Sequence, residues 1–243
     1  SGMYFGIKYY RMLQKQSEKA LKATAMAHEA QVKMLRYQLN PHFLFNTLNA
    51  ISTLILEGSD NTANAMVTRL SSFLRHSLYQ HPAHRVSLKK ELEALNLYLS
   101  IEKIRFPERL QVTQDISEDA RLALVPSMIL QPLIENAVKY AVAPREEGGH
   151  ITIRAFTHGD QLFLSVCDDG PGCDPSVLFG SAEDDNAVGK GVGLRNSRER
   201  LRVLYGDAAG VDVRRLDPRG LCVTMNLPFE RGSVDVAERG DRG

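Results

Sequence analysis

The sequence predicts two domains of different class, an all-α region to about residue 106 and a mixed α/β region after it. Residues 8–57 hold one proline and, after Gly6, no glycine until Gly58, in a background of Ala, Leu, Lys, Gln and Glu, which are strong helix formers. Beyond Phe106-Pro107 the texture changes to short alternating apolar runs separated by Gly, Asp and Asn. The 243 residues suffice for one large domain or two modest ones with a real core. Hydrophobic content of 43% and charged content of 24% are those of a soluble globular protein. A net charge of +1 gives no global field that would draw nucleic acid or an acidic partner. The cysteines, Cys167, Cys173 and Cys222, are odd in number and lack C-x-x-C pairing, which argues against a disulfide framework and a zinc site and fits a reducing compartment.

The elements follow in order. Ser1-Gly2 ahead of Met3 resembles an expression scar. Tyr4-Phe5-Gly6-Ile7-Lys8-Tyr9-Tyr10-Arg11 mixes aromatics with cations, as segments just inside a membrane do, and as an ordinary helix start with exposed tyrosines also does. No stretch reaches the ~20 apolar residues that span a bilayer. Leu21, Ala25, His28, Val32, Leu35 and Leu39 step by threes and fours in a heptad-like seam. Gly58-Ser59-Asp60-Asn61 is a turn with Ser59 or Asp60 as N-cap. The next helix runs to about Gln80, with Ala63, Met66, Val67, Leu70, Phe73 and Leu74 on one face. His81-Pro82 interrupts it. Ser87 with Glu91, and Leu88, Leu92, Leu95 and Leu99, mark a helix to about Arg105. Long amphipathic antiparallel helices expose too much apolar surface for a monomer, and a dimeric four-helix bundle would bury it.

In the second domain Leu110–Ile116 alternates like a strand, and residues 127–142 form a buried helix introduced by Pro126-Ser127. Ile151–Phe156 and Gln161–Val166 are strands joined by a turn at His158-Gly159-Asp160. Residues 168–193 are loop and 194–205 helix. Val211–Arg214 and Leu221–Asn226 form a closing hairpin. From about Arg231 the chain is polar and expected to be disordered.

Three segments carry chemistry. Asn136 stands in Glu135-Asn136-Ala137-Val138-Lys139-Tyr140, on a helix that Leu130, Leu133, Ile134, Ala137 and Val138 make apolar nearly all round. Asparagine is a poor interior residue there, because its side chain competes for backbone hydrogen bonds. Its amide oxygen suits Mg²⁺, a hard cation. Lys139, one turn on, would meet phosphate oxygens. The plainer alternative is a surface asparagine. Asp168-Asp169-Gly170-Pro171-Gly172 follows a strand, so a carboxylate can accept from a flat ring's amine where glycines admit close approach. By itself it is a routine turn. Gly189-Lys190-Gly191-Val192-Gly193-Leu194 opens a helix and offers free N–H groups and a positive dipole end to phosphate. It is neither the dinucleotide fingerprint nor a Walker loop.

Together ENAVKY, DDGPG and GKGVGLRN resemble the asparagine box and two glycine boxes of the GHKL (Bergerat) ATP-binding fold of histidine kinases, gyrase and MutL. QLNPHFLFNTLNAI, residues 38–51, resembles the phosphoacceptor segment of LytS-type histidine kinases, and LSIEKIRFPERL, VPSMILQPLIENAVKY and GLRNSRERLRVLYG also resemble that family. The resemblance covers about residues 30–228. It implies a dimerisation and histidine-phosphotransfer helical hairpin, a four-helix bundle as dimer, followed by an α/β GHKL sandwich. The implied boundaries are a juxtamembrane signalling helix over 1–29, a phosphoacceptor domain over 30–106, a catalytic domain over 107–230 and a tail over 231–243. Asn136 would hold Mg²⁺, Lys139 the phosphates and Asp168 the adenine amine of ATP. Gly170 and Gly172 would shape the pocket floor. Gly189, Gly191 and Gly193, with Leu194 following, would hinge a lid, and Asn196 would line the phosphate side. Many kinases carry histidine where this chain has Tyr140.

The fold alone does not choose between transfer and hydrolysis. In the gyrase group a glutamate one turn before the asparagine activates water, and here that position is Pro132. Of 7 histidines, His42 stands apart because Asn46, at i+4, can orient its ring or a water. A neutral imidazole offers a lone pair to the γ-phosphate. Phe43 follows His42 where many histidine kinases place an acid. Asn40-Pro41 reads as an N-cap and first helical residue, whereas the resemblance implies one long helix kinked at Pro41. The expected activity is autophosphorylation of His42 within a homodimer, then transfer to an aspartate of a response regulator, which LytS-type kinases pair with a LytTR output domain. The implied location is the cytoplasmic part of an inner-membrane protein, anchored by an upstream segment. The alternatives are a degenerate kinase acting as an interaction module and a GHKL ATPase. Direct nucleic-acid binding is not expected, because no basic groove element stands out.

Overall fold

A computed structural model describes residues 41–79, 85–174 and 192–232. The chain divides into two compact units, Ser1–Asn49 and Ala50–Gly243. Helix α1 is described over Pro41–Leu56. The heptad-like seam and any bend at Pro41 fall on residues outside those described. Along α1, Phe43 and Thr47 are buried while His42 is exposed, and the Thr47 hydroxyl donates to the Phe43 carbonyl at 2.8 Å. The helix closes in a Schellman arrangement. Gly58, at φ 73°, takes the left-handed position, while the N–H groups of Gly58 and Ser59 reach back to the carbonyls of Ile55 and Leu54.

Helix α2 (Asp60–Tyr79) and helix α3 (Leu88–Arg105) pack together. Ala63, Met66, Leu70 and Phe73 are buried at helical spacing, and the Phe73 ring lies 6.0 Å from that of Tyr98 on α3. Val67, expected on the same face, is 44% exposed, so the seam is narrower than the sequence suggests. The Ser87 side chain accepts from the Lys90 N–H and caps α3 as expected. This helix also buries two carboxylates, Glu91 and Glu102. Glu102 is bound at both oxygens by one nitrogen of Arg105, at 2.7 and 2.8 Å. Residues of that kind stay buried only when partnered.

Strand β1 (Arg85–Ser87) pairs antiparallel with β3 (Leu124–Pro126). Between them in sequence lie β2 (Leu110–Ile116) and the short helix α4 (Glu118–Arg121), which Ser117 caps. After β3 come α5 (Gln131–Ala137), which widens into a π turn (Val138–Val142), then β4 (Gly149–His158) and β5 (Gln161–Asp168). Helix α6 (Val192–Tyr205), β6 (Gly210–Arg215) and β7 (Leu221–Pro228) complete the order. Five strands form one sheet in the order β2-β4-β5-β7-β6, with only β2 and β4 parallel. Alternate residues such as Ile151, Ile153, Leu162, Leu164, Val223 and Met225 are buried on one face, against which α5 and α6 pack. The result is a two-layer α/β sandwich.

Three expectations change. The helix expected over 127–142 starts at Gln131, because Met128 takes a left-handed φ of 58° and breaks the helical path. Its end is a π turn rather than α-helix. The argument from cysteine number against a disulfide is also corrected: Cys167 on β5 and Cys222 on β7 are bonded. They are register partners on adjacent strands, a proximity that residue counts do not encode. Cys173 is free.

Candidate functional site

One cavity of about 510 Å³ lies in the second unit, within the range of small-molecule sites. Sheet register builds one wall: Val166 faces Val223, and Asp168 faces Leu221, on neighbouring strands β5 and β7. Helix α5 supplies Leu133, Asn136 and Ala137 opposite, and Tyr140 follows from the π turn. Leu194 closes a side from the first turn of α6, and Gly172 belongs to the loop after β5. Asn136, Asp168, Gly172 and Leu194, chosen from three separate motifs, therefore line a single hollow.

Asp168 is the acceptor of the wall. Its Oδ1 takes the Gly170 N–H at 2.9 Å. Burial pushes its carboxyl above the ordinary aspartate range, against the N–H groups of Gly170 and Leu221 that favour the charge. Gly170 is needed for closeness: a Cβ there would stand 2.7 Å from the Ala141 Cβ. The loop is tied down by the next residue, Asp169, whose Oδ1 accepts from Arg145 Nη1 and from the His150 N–H, both at 2.9 Å. Arg109 gathers the carbonyls of Val142, Ala143 and Arg145 beyond the π turn, where the last carbonyls of a helix lack partners.

On the other side, an ideal Cβ at Gly193 would lie 3.1 Å from the Pro132 Cβ and 4.0 Å from Asn136 Nδ2. Gly193 of α6 thus lies beside Asn136. Among the described residues no cluster of three or more His, Cys, Asp or Glu could hold a metal ion. An ion at Asn136 would be one that phosphate oxygens and water also ligate, which suits Mg²⁺. Lys139 is exposed and does not line the cavity; its ammonium lies 4.9 Å from the centre of the Tyr140 ring. Ala137 and Val138 between them keep α-helical dihedrals, φ −61°, ψ −46° and φ −60°, ψ −46°, so Lys139 lies one turn on from Asn136 with its ammonium by the Tyr140 ring. Asn196 is exposed and outside the lining. Gly189 and Gly191 lie outside the described residues.

In the first unit, Asn46 Nδ2 lies 3.1 Å from His42 Nε2 and 3.2 Å from Nδ1. The amide thus meets the ring at both nitrogens and can donate to the one without a proton or, turned over, accept from the one that carries it. The expected pair is therefore in contact.

Sequence reasoning gave no role to Val166, Leu221, Val223, Asp169 and Arg145, and it noted Tyr140 only as a departure from the histidine of many kinases. Val166 was findable, being two residues before Asp168 and so on its face of the strand. Leu221 and Val223 needed the β5–β7 register.

Comparison with known proteins places this geometry. A histidine kinase family profile matches residues 30–110, and one for histidine kinase-, DNA gyrase B- and HSP90-like ATPases matches residues 124–231. The chain is 34% identical over 232 residues to the sensor histidine kinase YpdA of Escherichia coli (strain K12), covering 96% of this chain and 40% of that protein. It is 34% identical over 212 residues to the sensor protein LytS of Streptococcus mutans serotype c, covering 86% of this chain and 36% of that one. The chain thus spans less than half the length of the curated relatives it matches. A solved bacterial phosphotransferase has a similar fold, with TM-score 0.50 and 13% identity over 79% of this chain and 95% of that chain.

Proposed function

The chain belongs to the LytS-type sensor histidine kinases, and from that premise we propose that it phosphorylates its own His42 from Mg-ATP and passes the phosphoryl group to an aspartate of a response regulator. The observation that carries this reading is the convergence of Asn136, Asp168 and the start of α6 on one cavity. Asp168 would accept from the adenine amine, with Val166, Leu221 and Val223 against the flat of the ring. Asn136 would hold Mg²⁺, which when bound neutralises charge on the transferring phosphate. The N–H groups at the start of α6 would receive phosphate oxygens, with Gly189, Gly191 and Gly193 as the lid's hinge, Gly170 and Gly172 at the floor, Leu194 against the nucleotide, and Lys139 and Asn196 reaching in from the rim.

At the acceptor, the Asn46 amide, turned so that its oxygen accepts from the ring N–H, would hold His42 so that the other nitrogen, unprotonated and unbonded, attacks the γ-phosphorus in line. A nitrogen–phosphorus bond forms, the bond to the ADP oxygen breaks and the ring proton leaves to solvent. In the second step the nitrogen–phosphorus bond breaks as the regulator's aspartate takes the phosphoryl group. Pro132 occupies the place one turn before Asn136, so no carboxylate there activates water, and this favours transfer over hydrolysis.

The domain assignment goes with this proposal: phosphoacceptor over 30–106 and catalytic over 107–230, after a signalling helix over 1–29 and before a tail over 231–243. Phe45 and Leu48 on α1 are 67% and 54% exposed, which supports a homodimer formed through the helical region. Among the described residues no helix is long and apolar enough to cross a membrane, and we assign anchoring to an upstream segment, with the kinase core facing the cytoplasm. A regulator with a LytTR output domain is the proposed partner. Incubation with γ-labelled Mg-ATP tests the reading. A kinase yields an acid-labile, base-stable label on the protein, an ATPase yields free phosphate alone, and an interaction module yields neither.

A further inference from the structure

We propose that Glu91 and Arg200 are positioning residues for Mg-ATP, clamping the turn Ser127–Leu130 from two sides so that Asn136 is held beside the start of α6. The inference rests on the nucleotide reading above and adds two residues to it that touch neither nucleotide nor metal.

The turn is gripped from outside. From α3, Glu91, only 2% exposed, accepts the Met128 N–H at Oε2 (2.7 Å) and the Leu130 N–H at Oε1 (3.0 Å). From α6, Arg200 Nη1 donates to the Ser127 carbonyl at 2.6 Å, and Nη2 stands 3.5 Å from the Ser127 hydroxyl oxygen. The turn lacks local means of holding this shape. Leu130 is the N-cap of α5 but makes no side-chain capping bond, and Met128 sits at a φ of 58°, a conformation that surrounding structure must enforce. Glu91 takes from a distant helix the N–H of the N-cap residue, as the acid of a capping box does locally, with a carboxylate at the positive end of the α5 dipole.

The clamp joins the elements that meet at the phosphate side. Asn136 rides on α5, which begins at this turn. Gly193 and Leu194 belong to α6, the helix that also carries Arg200. The approach of Gly193 to Pro132 and Asn136 therefore joins two pieces that are both fixed to Ser127–Leu130. Burial pushes the Glu91 carboxyl above its ordinary range, while the N–H groups of Leu130 and Met128 and the Arg200 charge oppose that shift. Burial likewise pulls the Arg200 guanidinium down, against the Glu91 carboxylate. Apolar side chains would fill such a space at lower desolvation cost, so a buried acid beside a half-buried base points to a specified geometry rather than to stability. The adenine wall of Val166, Asp168, Leu221 and Val223 belongs to strands β5 and β7, which neither Glu91 nor Arg200 contacts through these bonds.

This difference sets the test. Mg-ATP and adenosine are titrated separately into wild type, Arg200→Ala, Arg200→Lys and Glu91→Gln, with ATP KM and kcat measured on the same proteins. The expected result is Mg-ATP affinity about tenfold lower in Arg200→Ala, in line with losses at supporting shells of other sites, with adenosine affinity within about twofold of wild type. ATP KM should rise while kcat at saturation holds. Arg200→Lys, which keeps the charge but not the fork, should fall between. Glu91→Gln should lose Mg-ATP affinity several-fold, and the two arginine variants decide the matter where it does not fold. Variants that bind both compounds like wild type, or lose both in parallel, or differ only in thermal stability, overturn the proposal. A wild type that binds no Mg-ATP overturns the nucleotide reading itself, an outcome distinct from failure of the clamp.

Discussion

The nucleotide cavity and the His42 segment reach their chemistry by opposite routes. The cavity is a tertiary construction: α5, β5, β7, the loop after β5 and the start of α6 each contribute between one and three lining residues, and a sheet register decides which of them face each other. The acceptor is one turn of one helix, in which His42 and Asn46 meet through i, i+4 spacing alone. A site of the first kind is over-determined, because polar ties such as Asp169 to Arg145 and His150 hold each wall. A site of the second kind rests on helical spacing, and nothing else can replace its nucleophile. Damage to the cavity should therefore change binding, whereas damage to the helix should change transfer with binding intact.

The largest expected effect probes that division. Asn136→Ala should lower Mg-ATP affinity at least about a hundredfold, by calorimetric titration, and remove protein labelling with it. Equal affinity in the variant would separate the cavity from the reaction. Next comes Asp168→Asn, expected to weaken adenosine and Mg-ATP binding together by about tenfold. The pH behaviour follows from the upward shift of this carboxyl by burial. A raised native value means that ionisation works against the ligand-free fold. That contribution to stability is present below the unfolded value and is lost as pH rises through the native one. Asp168→Asn should therefore stabilise the ligand-free protein at neutral pH while weakening nucleotide binding. Wild-type affinity should fall as pH drops through a value above the usual aspartate range.

On the helix side, Asn46→Ala should slow His42 labelling by about fivefold through loss of one orienting hydrogen bond, with Mg-ATP affinity unchanged; a change in affinity instead would erase the contrast. Pro41→Ala belongs to the same series, and a proline that serves the acceptor's motion predicts altered labelling or altered regulation. The smallest effect is a control outside both sites: Ser87→Ala removes the cap of α3 and should cost about 0.5 kcal/mol in urea unfolding, with labelling preserved.

The same division governs what was legible beforehand. Local features were readable: Ser87 capped the helix it announced, the Gly58 turn closed α1, and the strands of residues 151–156 and 161–166 lie inside β4 and β5. Asn136, Asp168 and Leu194 were found through motif order, and the structure brings them to one cavity. Features set by distant partners were not readable. The late start of α5 depends on Glu91, 37 residues before Met128 in sequence. The short strands β1 and β3 exist because they pair with each other, and three residues leave little periodicity to detect. The Cys167–Cys222 bond follows from register rather than from number.

The central claim is that the cavity of Asn136 and Asp168 feeds His42. It is tested most directly by comparing wild type with His42→Ala under γ-labelled Mg-ATP, with nucleotide affinity measured on both. The account predicts an acid-labile, base-stable label on wild type and none on His42→Ala, whose Mg-ATP affinity stays within about twofold. A label that persists on His42→Ala would contradict it.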